Sequence, residues 1–435
     1  MTGIPILAQP ALTDFISVST KIAIIADDLS GAADCGIACA ITGRDVIVAL
    51  DHSLLPPHTG ILCVDLDTRR LPPCEAARRV SAFVAGHFAP DTIIFKKIDS
   101  TLRGHIAAEL TALLDEPVAR KKPVAIFAAA YPALGREVRQ GRHFVYKDAL
   151  EDSEIWKNEN RQGVASVTAL LRESGLRVAV IPLDEVRGTL EQKLRDAAQA
   201  YDVLACDAEC DADLDRIARA ANRLSATTDA GVIWVGSAGL AHALGRLLAD
   251  NAKMMPPTCP PRYGAPLLFV VGSMSSMSKR QVDTLVAGGQ VLRVNVSTVA
   301  LQSHALSPVT RQMDDAIARK QHVALVLETD DAADLTQGGF FAEALGQLTA
   351  PYARLIGGLI VTGGETARAV LAGFGITNLR LVAEVQPGVP LALSHDAQCL
   401  PVITKAGAFG DENTFLNCYT ALGGKVKFSN KENNL

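Results

Sequence analysis

Short unbroken apolar runs recur along the first half of the chain, each bounded by polar or turn-forming residues. Lys21–Ala26 (KIAIIA), Asp45–Leu50, Ile61–Val64, Thr92–Phe95, Val124–Ala128, Val178–Ile181, Val203–Cys206 and Val232–Val235 predict buried strands. Most are separated by segments with apolar residues at helical spacing, among them Glu75–Ala85, Leu190–Ala200 and Leu214–Leu224. A small-residue helix is predicted through about Ala40. Strands that are apolar throughout and alternate with helices build a parallel sheet covered on both faces.

The rhythm breaks twice. Ala129–Trp156 is long, has turn points at Gly135 and Gly141, and carries Arg136, Glu137, Arg139, Arg142, His143 and Lys147. Its aromatic residues Tyr131, Phe144, Tyr146 and Trp156 argue for order, so a structured flap or hairpin is expected near the carboxyl edge of the first sheet. The second break, 251–266 (NAKMMPPTCPPRYGAP), contains five prolines and reads as a linker. Strands then resume at Leu267–Val271, Val291–Asn295, Val323–Leu327 and Leu359–Val361, with helices from about Ser275, from about Pro308 and near Phe340–Leu348. The expected boundaries are an extension over 1–20, a first domain over 21–250, the linker, a second domain over 267–425 and a tail over 426–435.

Composition narrows the classes of function. A chain of 435 residues that is 49% hydrophobic and 20% charged can bury substantial cores. A net charge of −5 and the lack of a basic run with interleaved aromatics argue against nucleic acid or a membrane surface as partner. The nine cysteines are scattered; Cys35/Cys39 and Cys206/Cys210 have no accompanying His or Cys cluster, so helical packing explains them better than zinc. That usage fits a reducing compartment. With Lys21 as the first basic residue and Asp14 interrupting the apolar residues before it, a soluble, cytoplasmic protein is expected.

The chemistry concentrates where predicted strands end. In DTIIFKKIDSTLRGHIAAEL (Asp91–Leu110) a strand breaks at an Asp-Ser-Thr cluster, placing Lys96, Lys97, Asp99 and Arg103 at its carboxyl end. Charges there are costly to desolvate unless they or a ligand compensate one another, although a surface ion-pair cluster would look the same. Asp27/Asp28 and Asp65/Asp67/Thr68/Arg69/Arg70 follow two other strands. Asp27/Asp28 also suits a helix N-cap with an acidic first turn. Together these clusters offer cations for a carboxylate, acceptors for hydroxyls and a candidate base, as a small polyhydroxy acid requires.

In the second half, Val270–Ser276 (VVGSMSS), Val361–Ala367 (VTGGETA) and Lys405–Asp411 (KAGAFGD) are glycine-rich turns between a strand and a helix. Free N–H groups at such turns attract phosphate oxygens, and Ser273, Ser275 and Thr366 could add donors. Any one of them is explained by the sterics of a tight turn; three in one domain favour a nucleotide site. No G-x-x-x-x-G-K-[ST] occurs, nor a clean G-x-G-x-x-G with a suitable downstream acid. The expected fold class is thus α/β, two doubly wound, mainly parallel-sheet domains with the active site in the cleft between them.

IADDLSGAADCG, DLDTRR, FKKIDSTLRG, the P-x-x-G-R of Pro132–Arg136, GSAGLA, the Gly272–Ser275 turn, VTGGETA and KAGAFGDENTF occur in the order found in the four-carbon acid sugar kinases. The resemblance spans roughly residues 20–420, and KKIDSTLRG is most similar to the D-threonate kinase branch. It implies ATP- and Mg²⁺-dependent phosphorylation of the terminal hydroxyl of a four-carbon sugar acid, D-threonate or D-erythronate, with a homodimer as a possible assembly. The acid-binding residues would be Asp27, Asp28, Arg69, Lys97, Ile98, Asp99, Ser100 and Arg103. ATP would be held through Ser273 or Ser275, Gly363, Gly364, Glu365, Thr366 and Gly407. Glu365 stands where the family commonly has Asp. Asp28 or Asp99 is the first choice as general base, and Asp411 the rival because Gly-Ala-Phe-Gly-Asp resembles the Gly-Ala-Gly-Asp of ribokinase-type sugar kinases. The metal ligands are not identified. A nicotinamide-dependent hydroxy-acid dehydrogenase and a non-catalytic sugar-acid-binding protein are the competing readings.

Overall fold

The apolar runs are strands because both of their faces are covered. Every residue of Ile22–Ala26, Ile61–Asp65 and Val124–Ala128 is buried, as is every residue of Leu267–Val271 and Gly358–Thr362. The structure, a computed structural model, describes residues 21–53, 55–56, 60–88, 92–116, 123–158, 162–227, 231–248, 264–328, 337–407 and 409–424. The expected N-terminal extension and C-terminal tail lie outside the described residues, as does 251–263 of the expected linker.

The chain forms two compact units that are not consecutive halves. The first comprises Met1–Asp27, Ala38–Arg44 and His58–Met254; the second comprises Asp28–Ile37, Asp45–Pro57 and Met255–Leu435. The unbroken span expected over 21–250 is therefore cut by two segments. The reason for one is strand pairing: Val46–Ala49 runs antiparallel to Asn378–Gln386, with Ala49 opposite Asn378.

Within the first unit seven parallel strands lie in the order Ile61–Asp65, Ile22–Ala26, Ile93–Lys97, Val232–Gly236, Val124–Ala128, Val203–Cys206 and Val178–Ile181. The expected flap is a small antiparallel sheet of Arg136–Arg139, Arg142–Val145 and Asp148–Ala149. Its tip is tied to the loop after Val203–Cys206. Val138 N donates to Ala208 O at 2.9 Å, and the Asp207 carboxylate accepts from Gln140 N and Gly141 N. Burial pushes Asp207 up to about 6 despite those two donors.

Within the second unit Val291–Ser297, His322–Glu328, Leu267–Val271, Gly358–Thr362 and Pro401–Lys405 run parallel. Val389–Ser394, Asn378–Gln386 and Val46–Ala49 then continue antiparallel. The Val389–Ser394/Asn378–Gln386 hairpin has no counterpart among the expected strands. Phe269, Leu285, Ile403 and Phe415 are buried in one core, with Phe269 and Phe415 edge to face at 5.8 Å.

Cys35, Cys39 and Cys206 are buried as expected of packing residues, but Cys210 is exposed, its thiol 3.3 Å from Asp213 Oδ2. Among the described residues no group of His, Cys, Asp or Glu is arranged to hold a metal, and no helix is long and apolar enough to cross a membrane.

Candidate functional site

In the first unit three strands end side by side, because Ile22–Ala26 sits between Ile61–Asp65 and Ile93–Lys97 in parallel register. Their carboxyl ends therefore bring Asp27, Arg69 and Asp99 together. Arg69 grips Asp27 with two bonds, Nε to Oδ2 at 2.8 Å and Nη2 to Oδ1 at 3.0 Å. The same Nη2 lies 3.8 Å from Asp99 Oδ2. Asp99 is held chiefly by Arg103, at 2.6 Å and 3.1 Å, and accepts from the Thr101 amide and hydroxyl. The chain has room to turn here because residue 104 is glycine: a Cβ there would lie 2.7 Å from Asp27 Oδ2. Leu102 adopts a left-handed conformation, φ +63°, unusual for a bulky residue and typical of strained functional turns.

Burial pushes both carboxyls up, but the cations outweigh it. Arg69, Lys96 and Lys97 leave Asp27 below its ordinary range, and Arg103, Arg69 and Lys97 leave Asp99 well below it. Lys97 is buried close to both carboxylates. Ser100 is half-buried at the turn. Ile98 is buried and its amide donates to Gly236 O at 2.9 Å, so side chain and N–H are already used in packing and pairing.

Beneath this cluster Lys96 and Thr68 meet Glu109, a residue the sequence reading did not single out. Lys96 Nζ bonds Glu109 Oε2 at 2.7 Å and the Lys97 carbonyl at 3.0 Å, and the Thr68 hydroxyl donates to the other Glu109 oxygen. All three side chains are buried. The triad joins the residue before Arg69 to the residue before Lys97, and so fixes where both cations emerge. Glu109 falls within Ile106–Asp115, whose apolar spacing concealed a buried carboxylate.

In the second unit the three glycine turns converge. A Cβ on Gly272 would overlap Thr366 Oγ1, and one on Gly407 would overlap Ser273 Oγ. Gly363, left-handed at φ +94°, approaches Ser273 N, and its own N–H donates to Lys405 O at 2.9 Å. Ser275 is the N-cap of Ser276–Ala287, accepting from Ser278 N at 3.1 Å and donating to Gly407 O at 3.0 Å. Its hydroxyl is thus committed to structure, whereas Ser273 is half-buried at the turn. Gly364 opens the helix Gly364–Gly373, with Glu365 exposed and Thr366 buried in its first turn.

Asp28, Ser30 and Gly364 belong to this same unit. Asp28 Oδ1 accepts from Gly31 N at 2.9 Å, which makes it the N-cap of Leu29–Ala40. Its other oxygen points elsewhere: a Cβ on Gly364 would lie 3.6 Å from Asp28 Oδ2 and 3.3 Å from Ser30 Oγ. Asp28 thus caps the helix through one oxygen and turns the other toward Gly364. The three candidate bases differ sharply. Asp99 is tied into ion pairs, and Asp411 is exposed with Oδ1 accepting from Asn413 N at 2.9 Å. Asp28 has one carboxylate oxygen on the Gly364 side, 3.6 Å from where a Cβ on Gly364 would lie. The expectation that Asp99 acts as base meets a physical obstacle, because a carboxyl held well below its ordinary range is a weak proton acceptor.

Residues 22–244 match the model of a sugar-binding N-terminal domain, and 268–415 that of a nucleotide-binding C-terminal domain. A D-threonate kinase of Cupriavidus necator is 40% identical over 424 residues, covering 92% of this chain and 97% of its own length. A D-threonate kinase of Salmonella typhimurium is 32% identical over 426 residues, with 91% and 96% covered. A crystal structure of a Salmonella typhimurium LT2 protein, described as a tRNA synthase, has a TM-score of 0.75 at 23% identity, covering 92% of this chain and 98% of that one. At that identity the likeness speaks for the fold alone. The paired domain matches and the kinase relatives, aligned along nearly their whole length, establish that the chain belongs to the four-carbon acid sugar kinases.

Proposed function

We propose that the chain transfers the γ-phosphoryl group of ATP to the terminal, 4-hydroxyl of D-threonate, with D-erythronate as the second candidate acceptor. The convergence of Ser273, Thr366, Gly363 and Gly407 carries the nucleotide half of this reading: it packs amides and hydroxyls of three strand ends into one place. The acid half rests on Arg69 and Arg103, held by carboxylates at the adjoining strand ends, and on Lys97, buried near the same carboxylates.

In this reading Arg69 and Lys97 meet the substrate carboxylate, and Asp27, Asp99 and Ser100 set the directions of those cations and of the hydroxyls. Asp28 takes the proton of the attacking hydroxyl, since its Oδ2 stands beside the turn that would hold the phosphates. Mg²⁺, carried on the nucleotide, neutralises phosphate charge. Such a cation keeps phosphate and water for most of its contacts, and the Ser30 hydroxyl beside Gly364 is an oxygen that would suit it. The enzyme is further taken to work in the cytoplasm as a homodimer. Light scattering reading the mass of a single chain would remove the dimer from the proposal.

The test is a panel of D- and L-threonate, D- and L-erythronate and their oxo forms, assayed for ADP release with ATP–Mg²⁺. D-threonate should give the highest kcat/KM and a 4-phosphate product. Reduction of a nicotinamide cofactor with no ADP would favour the dehydrogenase reading, and acid binding without turnover the binding-protein reading.

A further inference from the structure

The Lys405–Asp411 turn is folded around donors that all point at its carbonyls. Lys405 Nζ bonds Ala406 O at 3.0 Å, Gly407 O at 2.9 Å and Phe409 O at 3.1 Å. Gly407 O also accepts from Ser275 Oγ at 3.0 Å and Ser278 Oγ at 2.8 Å, and Gln281 Nε2 donates to Phe409 O and Asp411 O at 3.1 and 2.8 Å. Lys405, Ser278 and Gln281 are buried. Three carbonyl acceptors use all three N–H groups of an ammonium; a neutral amine has only two and would turn its lone pair on a carbonyl.

Unlike Lys96, which rests on Glu109, Lys405 has no carboxylate partner among the described residues. From Thr414–Ala421 it is faced by the Phe415 ring at 5.5 Å and the Cys418 thiol, which burial pushes up to about 12 and so keeps neutral. Ser278 and Gln281 face the same carbonyls from Ser276–Ala287, and Thr362 is its partner in the neighbouring strand. Asp411 and the Arg280–Glu412 pair are exposed. A buried cation left uncompensated by protein charge is expensive, and burial accordingly pulls Lys405 down to about 8.

We infer that Lys405 is a positioning residue for the nucleotide phosphates: its ammonium draws the carbonyls of Ala406, Gly407 and Phe409 inward and so fixes the course of the turn, and its charge, which no carboxylate among the described residues meets, attracts the phosphates through it. This rests on the kinase reading above. It also adds a prediction that reading does not make, since affinity for the nucleotide should follow the protonation of one lysine.

The experiment measures MgADP affinity by calorimetry between pH 7.5 and 9.5, above the range in which the nucleotide phosphates titrate, on wild type, Lys405→Met and Lys405→Arg. Wild type should lose roughly tenfold or more in affinity as pH rises. Lys405→Met should be weak and flat across the range, with a raised KM for ATP and an unchanged KM for the acid. Lys405→Arg, whose guanidinium does not titrate there, should also be flat but tighter than Lys405→Met. A wild-type affinity that does not change with pH overturns the inference while leaving the kinase reading intact, and it does so even if neither variant folds. A folded Lys405→Met that binds like wild type overturns it equally. Wild type that binds no MgADP at any pH sinks the kinase reading, and this inference with it.

Discussion

The cluster at the strand ends of the first unit is built of charged side chains holding one another, whereas the turns of the second are built of backbone and hydroxyls around a single buried cation. Arg69, Lys96 and Arg103 each have a carboxylate within 2.8 Å. Lys405 has three carbonyls instead. The difference suits the ligand proposed for each. A carboxylate is a compact charge best met by directed cations, while a polyphosphate spreads its charge over many oxygens that amides at helix starts can reach. It also divides the ways each region fails. Removing a charge from the first strands its partner in the interior, and adding a methyl group to the second closes the space between turns.

The largest effect is expected where the comparison is least tidy, at Asp28, a carboxylate of the second unit. Asp28→Asn keeps an N-cap acceptor for Gly31 N, so thermal stability should change little. If Asp28 is the base, kcat should fall by about 10²–10⁴-fold with both KM values near wild type. Asp99→Asn should instead raise KM for the acid, because it releases Arg103, and Asp411→Asn should do little. Loss of kcat at Asp99 with none at Asp28 would reverse the assignment.

Next in size is the buried triad. Glu109→Gln leaves the Lys96 ammonium, 1% exposed, without its counter-charge, and breaking such a pair costs about 3–5 kcal/mol. Chemical denaturation should show that loss, and the acid KM should rise with the ATP KM unchanged. Gly407→Ala tests the other side, since its Cβ would overlap Ser273 Oγ. The ATP KM should rise roughly tenfold at little cost in stability, a steric rather than an electrostatic failure. Equal effects of both substitutions on both substrates would dissolve the contrast between the regions.

How far this was legible depends on the kind of contact. The parallel strands were readable because central strands must be apolar on both faces, and the flap because Gly135 precedes and Gly141 turns a charged, aromatic hairpin. The Asn378–Gln386 strand was not, since most of it is only half-buried and it mixes polar with apolar residues. Without that strand, nothing marked Val46–Ala49 as its partner. The strand-end charges Arg69 and Asp99 stood out as polar breaks after apolar runs. Glu109 did not, being one acid in a helix, and Lys405 was overlooked beside its glycines. Both owe their importance to partners distant in sequence or to backbone carbonyls, which no spacing rule records.

The smallest effect is also the one that separates the two regions by whether the ionised group stabilises the fold or costs it. Asp27 and Asp99 have folded pKa values below the ordinary 3.8, so the unfolded chain binds protons more readily than the folded one. Their contribution to stability is present above that value and is lost as pH falls, progressively below about pH 5. Lys405 is pulled from 10.5 to about 8, so there the charged form costs stability instead of adding it. Between those values the unfolded chain again holds the extra proton, so stability rises with pH as the burial penalty on the ammonium is relieved. Denaturation of wild type against Asp99→Asn in acid, and against Lys405→Met in base, isolates each group. Wild type should lose more stability than Asp99→Asn from pH 5 to 3, and gain relative to Lys405→Met from pH 8 to 10. Wild type that loses stability relative to Lys405→Met in base, or no change at either end, would mean that the cation behind the turn is compensated much as those of the first unit are.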